Sequence, residues 1–393
     1  MRAFRSEPWL AALLALAALS YAYRVERIAR KGPFPDFRVM FRASQALHQD
    51  RPLYDVDRMS QEPFAAHYKY PPLFAALLEP LTPLGFRRAA RVWLVVLQAC
   101  YFGAFAVLCR AFRLRFRSLR FYLASITVLV FQPAIDSFWN GQLDAPLLLV
   151  LAGAWAALAA GREARGGSLI AVAAMLKVYP AYMASFLLLR RRWRALASFV
   201  VWALLLGAAS ILLAGWAPHI EFVARVLPVN AATTAWVENQ SLSGLFARFF
   251  VDGRIGGPGK ETVVPAATVL GAVVGAAVLA ATFLAGFRTS REGSLFCALV
   301  AALPLVLPVA WMHYEVLLLL PLFDLLARPF DRSNGGTVQA VLLAAAALLL
   351  AFGNQYIILR NPWVPQSLKF FGVLLVWALE MRSLWPWRAP QPG

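Results

Sequence analysis

The stretch GREARGGSLIAVAAMLKVYPAYMASFLLLRRRW, residues 161–193, decides how this chain is folded. Arginines close it at both ends: Arg162 and Arg165 on one side, Arg190, Arg191 and Arg192 on the other. Arginine clusters beside apolar runs mark the cytoplasmic side of a membrane. A straight crossing over 168–190 would put its ends on opposite sides, so the stretch reads as a bent hairpin. SLIAVAAMLK enters, Lys177-Val178-Tyr179-Pro180 turns, and AYMASFLLL returns. Pro180 has no N–H to donate and disfavours helix at the residue before it. Such a break is tolerated inside a membrane only where protein or a water-filled cavity lines it.

Outward from the hairpin, further apolar runs occupy roughly 8–25, 92–112, 119–136, 142–160, 195–215, 264–287, 294–311, 313–328, 337–353 and 364–381. Arg110, Arg113, Arg115, Arg117 and Arg120 share one short loop, Arg288 and Arg291 another, Arg328 and Arg332 a third, and Arg382 and Arg388 close the chain. With these clusters cytoplasmic and the hairpin counted as two short helices, twelve helices and two cytoplasmic termini result. The fold expected is an all-α polytopic integral membrane protein, a single domain over 1–393 with about 11–12 transmembrane helices. Two long loops, 26–91 and 216–263, then face outward, as do the short loops carrying Asn140 and His313.

Composition agrees. The chain is 61% hydrophobic and 15% charged, with a mean hydropathy of +0.62, whereas about a quarter of a soluble chain is charged. Its net charge of +18 would suggest nucleic acid in a soluble protein, but here the arginines sit at helix ends as topology signals and phospholipid contacts, so no nucleic-acid partner is expected. Cys100, Cys109 and Cys297 lie in or beside apolar runs without metal spacing, so neither a disulfide framework nor a zinc site is expected. Residues 9–23 lack a small-residue cleavage site and read as a retained first helix. Abundant Ala and Arg fit a GC-rich bacterial genome, and hence the bacterial cytoplasmic membrane.

The first long loop is not featureless. Phe37, Met40, Phe41, Ser44 and Leu47 recur at helical spacing, as in a helix lying in the interface plane. PPLFAALLEPLTPL, residues 71–84, is apolar but broken by prolines, as in a re-entrant or interfacial segment.

Polar groups inside such a chain are functional candidates, since burying them unpaired is costly. Lys177, one of only five lysines, sits mid-hairpin; it either pairs structurally with a carboxylate or holds an anion. His313, in WMHYE, suits the headgroup zone, a phosphate or a proton transfer. IDSFWNGQLDAP, residues 135–146, offers Asp136, Asn140, Gln142 and Asp144 beside a tryptophan, a mixture suited to sugars or simply a turn. WVENQSLSGLFARF, residues 236–249, repeats that character, and its Arg248 can meet an anion. Asp55-Val56-Asp57 resembles a two-acid metal motif, but so short a pattern is common by chance, and no metal is expected. Asp36 is a favoured helix cap after proline; it is equally a carboxylate at the outer surface, where partial desolvation makes it a better general base.

Taken in order, PDF (35–37), PLYD (52–55), YKYPPLFAALLEPL (68–81), WNGQLDAPLLL (139–149), LKVYPAYMASFLLLRRRWRA (176–195) and ENQSLSGLFARF (238–249) resemble the glycosyltransferase 87 family. The resemblance covers about residues 30 to 330. It implies a C-type glycosyltransferase bundle that uses a lipid-linked donor, commonly a polyprenyl-phosphate hexose, on the outer side of the cytoplasmic membrane. The family includes polyprenol-phosphate-mannose-dependent mannosyltransferases. It also implies an acidic catalytic base in the first outer loop, and Asp36 occupies that position.

Elementary chemistry is compatible. The acceptor alcohol must lose its proton as it attacks the anomeric carbon, and the leaving phosphate must be stabilised. A glycosidase needs a second acid for its poor leaving group; a phosphate leaves already charged, so one carboxylate and cations suffice. The expected division is Asp36 as base and Lys177, His313 and Arg248 on the donor phosphate, with Tyr70, Asn140, Gln142, Glu238, Asn239 and Gln240 shaping the pockets. One base and one displacement give inversion. The partners expected are a polyprenyl-phosphate sugar, a lipid or glycan acceptor and membrane phospholipid, with no cofactor. The alternatives are a polytopic transporter or lipid flippase, to which broken helices and a buried lysine also belong, and a structural subunit of an envelope complex.

Overall fold

The structure, a computed structural model, describes residues 8–62, 67–250, 265–328, 334–352 and 367–384. Its α-helices are α1 (Pro8–Lys31), α2 (Pro35–His48), α3 (Val56–Gln61), α4 (Pro72–Leu78), α5 (Gly85–Ala111), α6 (Leu119–Val130), α7 (Gln132–Asn140), α8 (Asp144–Ala159), α9 (Glu163–Leu176) and α10 (Ala184–Leu189). They continue with α11 (Trp193–Ala214), α12 (Ala217–Glu221), α13 (Leu227–Val229), α14 (Leu242–Phe250), α15 (Pro265–Arg288), α16 (Glu292–Val306), α17 (Leu319–Ala327), α18 (Asn334–Phe352) and α19 (Leu368–Leu384). Among the described residues the only strand-like pairing is one isolated bridge, Asn239 with Trp311. The protein is an all-α polytopic membrane protein. Five runs are long and apolar enough to cross a bilayer: α1, 72–111, 119–140, α11 and α15. The end of the second long loop, 251–263, and the start of the last apolar run, 364–366, lie outside the described residues.

Exposure separates an inner from an outer set of helices. α16 is buried without interruption from Ser294 to Leu305, as expected of a helix apolar on every side. α11 is equally apolar yet faces outward, with Leu212 87% exposed and Leu204 69%. Side chains of that kind are stable in contact with lipid, not water.

The hairpin reading holds. α9 ends at Leu176, Lys177 takes an extended conformation, and a 3₁₀ turn over Tyr179–Met183 leads into α10. The turns at both ends of the stretch meet again, because Gly161–Arg165 and Arg191–Arg194 border one shallow concavity. Ser198 Oγ donates to the Ala164 carbonyl at 2.7 Å across it. A Cβ on Gly167 would lie 1.9 Å from the Ala195 carbonyl oxygen, so only glycine lets α9 and α11 come so close there.

A second break falls at Phe131, between α6 and α7. Pro133 cannot donate to the Leu129 carbonyl four residues earlier. Arg24 on α1 donates to that oxygen instead, at 3.1 Å, and also to Gln132 Oε1 at 3.2 Å. The freed backbone group is thus satisfied inside the bundle.

The first long loop forms the amphipathic helix expected of it, α2. The apolar face of α2 is covered by protein: Phe37 and Met40 are fully buried, and α4 and the 3₁₀ segment Glu79–Leu84 pack over the helix. The proline-broken stretch 71–84 supplies that cover and runs on into α5 through Gly85, whose φ is +70°.

At the end of the bundle that carries the arginine turns, the helices are tied by ion pairs. Arg190 and Arg192 both reach Glu292, and Arg328 contacts Asp324 and Glu380. Cys297, Asp324 and Glu380 bring donor atoms within 4.8 Å of one another, but the Arg328 guanidinium already lies against both carboxylates as their counter-cation.

Candidate active site

The turn between α7 and α8 organises the site. Gly141 caps α7 in the left-handed region at φ +73°, and the turn closes with Gln142 N–H donating to the Ser137 carbonyl at 2.9 Å. Trp93 on α5 donates its indole N–H to the Gly141 carbonyl at 2.8 Å. A Cβ on Gly141 would sit 2.6 Å from Phe37 Cβ, so the glycine is what lets the start of α2 settle against this turn. That contact delivers Asp36 to Gln142.

Asp36 lies in the first turn of α2 but is not its cap; Phe34 occupies that position. The Asp36 carboxylate instead accepts from Gln142 Nε2 at 2.7 Å. Gln142 Oε1 in turn accepts from the Tyr70 hydroxyl at 2.7 Å. Burial raises the Tyr70 phenol well above its usual range, so it remains a donor. The chain Tyr70–Gln142–Asp36 fixes one carboxylate oxygen and leaves the other for a ligand.

A second cluster forms around Asp144, at the start of α8. Its Oδ2 accepts from His313 Nδ1 at 2.7 Å and from Ser137 Oγ at 3.1 Å, and its Oδ1 faces Lys177 Nζ at 3.4 Å. The Lys177 ammonium also lies 3.7 Å over the Tyr314 ring, with Tyr179 and Tyr70 at 5.2 and 5.7 Å. A carboxylate and aromatic faces thus replace the water that a buried ammonium would lose.

The two clusters open into one cavity of about 710 Å³. Its walls include Asp36, Tyr70, Asn140, Gln142, Lys177, Glu238 and His313, seven of the residues expected from sequence. Lys177 pairs with a carboxylate, as one of its two expected roles required, and it also lines the cavity. The aromatic walls are Tyr179, Tyr314, Trp236 and Trp311, not the half-exposed Trp139 of the WNGQ turn.

Three expected residues stand elsewhere. Asn239 is buried and spends its amide on backbone, donating to the Thr234 and Pro308 carbonyls and accepting from Ala310 and Ser241 N–H. Gln240 accepts from Phe370 N–H at 2.8 Å and donates to the Val237 carbonyl. Arg248 donates to the Asn239 carbonyl at 2.8 Å and to Ser367 Oγ at 3.0 Å, and burial pushes its guanidinium down to about 9. These residues brace the segment that carries Trp236 and Glu238; none of them lines the cavity. Asp55 is likewise committed, capping α3 through Arg58 N–H, and Asp57 pairs with Arg225.

The sequence reading missed Lys69 as a wall residue. Its signal was present: it lies inside YKYPP, one residue from Tyr70. Burial pushes its ammonium down to about 8, against the opposing pull of Asp36.

A carboxylate fixed on one wall, with an ammonium and an imidazole on another, can take a proton from one reactant while holding an anionic group on a second. The chain matches the model of glycosyltransferase family 87 over residues 68–308. It is 27% identical over 370 residues, 91% of this chain and 86% of the relative, to a polyprenol-phosphate-mannose-dependent alpha-(1-2)-phosphatidylinositol pentamannoside mannosyltransferase of Mycolicibacterium smegmatis. A protein of the same description from Mycobacterium tuberculosis is 28% identical over 346 residues, covering 84% of this chain and 76% of that one. With the family match spanning more than half of the chain, the protein belongs to glycosyltransferase family 87 and is a polytopic membrane glycosyltransferase.

Proposed function

We propose that the protein transfers a mannosyl group from polyprenyl-phosphate mannose to a hydroxyl of an envelope lipid or glycan, at the outer face of the bacterial cytoplasmic membrane. The observation that carries this reading is the opening of Asp36, Lys177 and His313 into one cavity. Both relatives are described as polyprenol-phosphate-mannose-dependent and as acting on a phosphatidylinositol mannoside, a lipid-anchored glycan with free hydroxyls.

The step balances with these groups. The acceptor oxygen attacks the anomeric carbon and its proton passes to Asp36. The bond from that carbon to the phosphate oxygen breaks, and its electron pair leaves with polyprenyl phosphate. The phosphate goes from one negative charge to nearly two, and Lys177 and His313 stand where that charge grows. Gln142 and Tyr70 hold the base in line. Attack from the face opposite the phosphate inverts the anomeric configuration. Asn140, Glu238 and the tryptophans Trp236 and Trp311 present the amide, carboxylate and aromatic surfaces that bind sugars.

The hairpin supports this sidedness. Lys177 and the Arg162 and Arg165 turn lie at opposite ends of α9, a 14-residue helix about 21 Å long. With the arginines cytoplasmic, the cavity belongs to the outer half of the membrane. The test is a donor series on protein reconstituted in lipid: polyprenyl-phosphate mannose, polyprenyl-phosphate glucose and GDP-mannose. Transfer from the first, with inverted configuration in the product, is expected. Transfer from the nucleotide sugar alone would refute the reading.

A further inference from the structure

The hairpin 161–193 carries a second polar feature, at the end of α9 away from Lys177. The Gly161–Arg165 and Arg191–Arg194 turns border one shallow concavity. Two contacts hold the turns together: the close approach at Gly167 and the bond from Ser198 to the Ala164 carbonyl. The concavity is therefore shaped before any ligand arrives.

Several arginines elsewhere at this end are already engaged. Arg120 donates to the Ala327 carbonyl, Arg291 to the Ser383 carbonyl, and Arg328 meets Asp324 and Glu380. Arg190 and Arg192 share Glu292, and Arg192 also reaches Glu163 at 3.6 Å. Around the concavity the balance differs. Arg162, Arg165, Arg191 and Arg194 are exposed, and among the described residues no ion pair or hydrogen bond engages their guanidiniums. Counting those ion pairs, the two turns hold six arginines against Glu163 and Glu292, so four positive charges have no counter-charge.

A lipid-facing surface begins at the same place. Trp193, Ala197, Val200 and Leu204 recur at helical spacing along α11, and all are exposed, Trp193 by 60%. Acyl chains lying on this face bring a headgroup to the rim of the concavity. Tryptophan is favoured at that depth, between chains and headgroups.

We infer that the concavity binds one anionic phospholipid, whose headgroup phosphates pair with Arg162, Arg165, Arg191 and Arg194 while its chains lie along α11. The guanidinium fork matches phosphate oxygens. A headgroup with two phosphates suits four cations better than one with a single phosphate. The site lies at the other end of α9 from Lys177, and nothing in it depends on the reaction proposed above.

Native mass spectrometry of the full chain released from detergent tests this, with diphosphatidylglycerol, phosphatidylglycerol, phosphatidylcholine or inorganic pyrophosphate added in turn. The wild type should hold one diphosphatidylglycerol first, at least about tenfold more tightly than phosphatidylcholine. Each arginine near an anionic headgroup adds roughly a factor of five, so Arg165→Gln/Arg194→Gln should weaken that binding about tenfold or more. Arg113→Gln/Arg115→Gln removes two exposed arginines from another loop and should leave it unchanged. Equal weakening in both double variants would reduce the effect to general surface charge and overturn the inference. So would equal retention of every lipid, binding of pyrophosphate without lipid, or a dimer that holds none. Should the first double variant not fold, Arg165→Gln and Arg194→Gln carry the test singly, each with about fivefold weakening expected. Unchanged affinity in both contradicts the inference.

Discussion

The amide of Gln142 donates to the carboxylate of Asp36 at 2.7 Å, joining residues 106 positions apart in the chain. Its carbonyl is held in turn by Tyr70. The orientation of the carboxylate is therefore set by a side chain that has no chemistry of its own to perform. Gln142→Leu removes the donor and keeps the size. It should lower kcat by about 10²-fold, the usual cost of a misplaced group near the chemistry, with little change in donor KM. Tyr70→Phe, one step further away, should cost less. Steady-state kinetics on both variants checks the order.

Lys177→Met leaves Asp144 buried with one cation fewer. Breaking a buried pair costs about 3–5 kcal/mol, so the thermal midpoint in detergent should fall by several degrees and transfer should be lost. The double variant Lys177→Met/Asp144→Asn removes both charges. It should recover much of the midpoint and none of the activity. A double variant as unstable as the single one would contradict the pairing.

Arg248 is expected to matter for stability and not for the donor. Arg248→Met strips hydrogen bonds from the Asn239 and Trp236 carbonyls. A loss of about 2 kcal/mol in stability is expected, with donor KM within about twofold of wild type in the folded fraction. A large rise in donor KM would place Arg248 on the phosphate after all.

Lys69 ties stability to pH. Its folded-state value of about 8 lies below its ordinary value of 10.5. Below pH 8 both states are protonated and the burial penalty is present in full. Between 8 and 10.5 the unfolded chain binds more protons, so this group adds stability as pH rises. Lys69→Met should therefore be more stable than wild type at pH 7, with the advantage fading towards pH 10.5. Thermal midpoints across that range decide it. The penalty persists in the native protein because the ammonium stands in the cavity beside Asp36.

Much of this was legible in the sequence, for physical reasons. Arginines at both ends of 161–193 left only a hairpin, and Pro180 placed its bend. Lys177 and His313 were legible because charge is rare in apolar runs. Asn239, Gln240 and Arg248 were misleading: amides and an arginine in an outer loop look the same whether they meet a sugar or a backbone carbonyl. Only the burial of Asn239 and its four backbone partners tells them apart. Asp144 was visible in the WNGQLDAP stretch, but its link to His313 spans 169 positions and no spacing rule reaches that far. The amphipathic pattern of α2 records that one face is covered but not what covers it, and here α4 and the 3₁₀ segment Glu79–Leu84 do.

The proposed transfer depends most directly on Asp36. The decisive measurement is mannosyl transfer from polyprenyl-phosphate mannose by wild type and Asp36→Asn, both reconstituted in lipid and shown to be folded. As general base, Asp36 should contribute about 10²–10⁴-fold, and the variant should lose transfer to that extent while still binding the donor. Equal transfer by the two proteins would contradict the account and reduce Asp36 to a first-turn acid of α2.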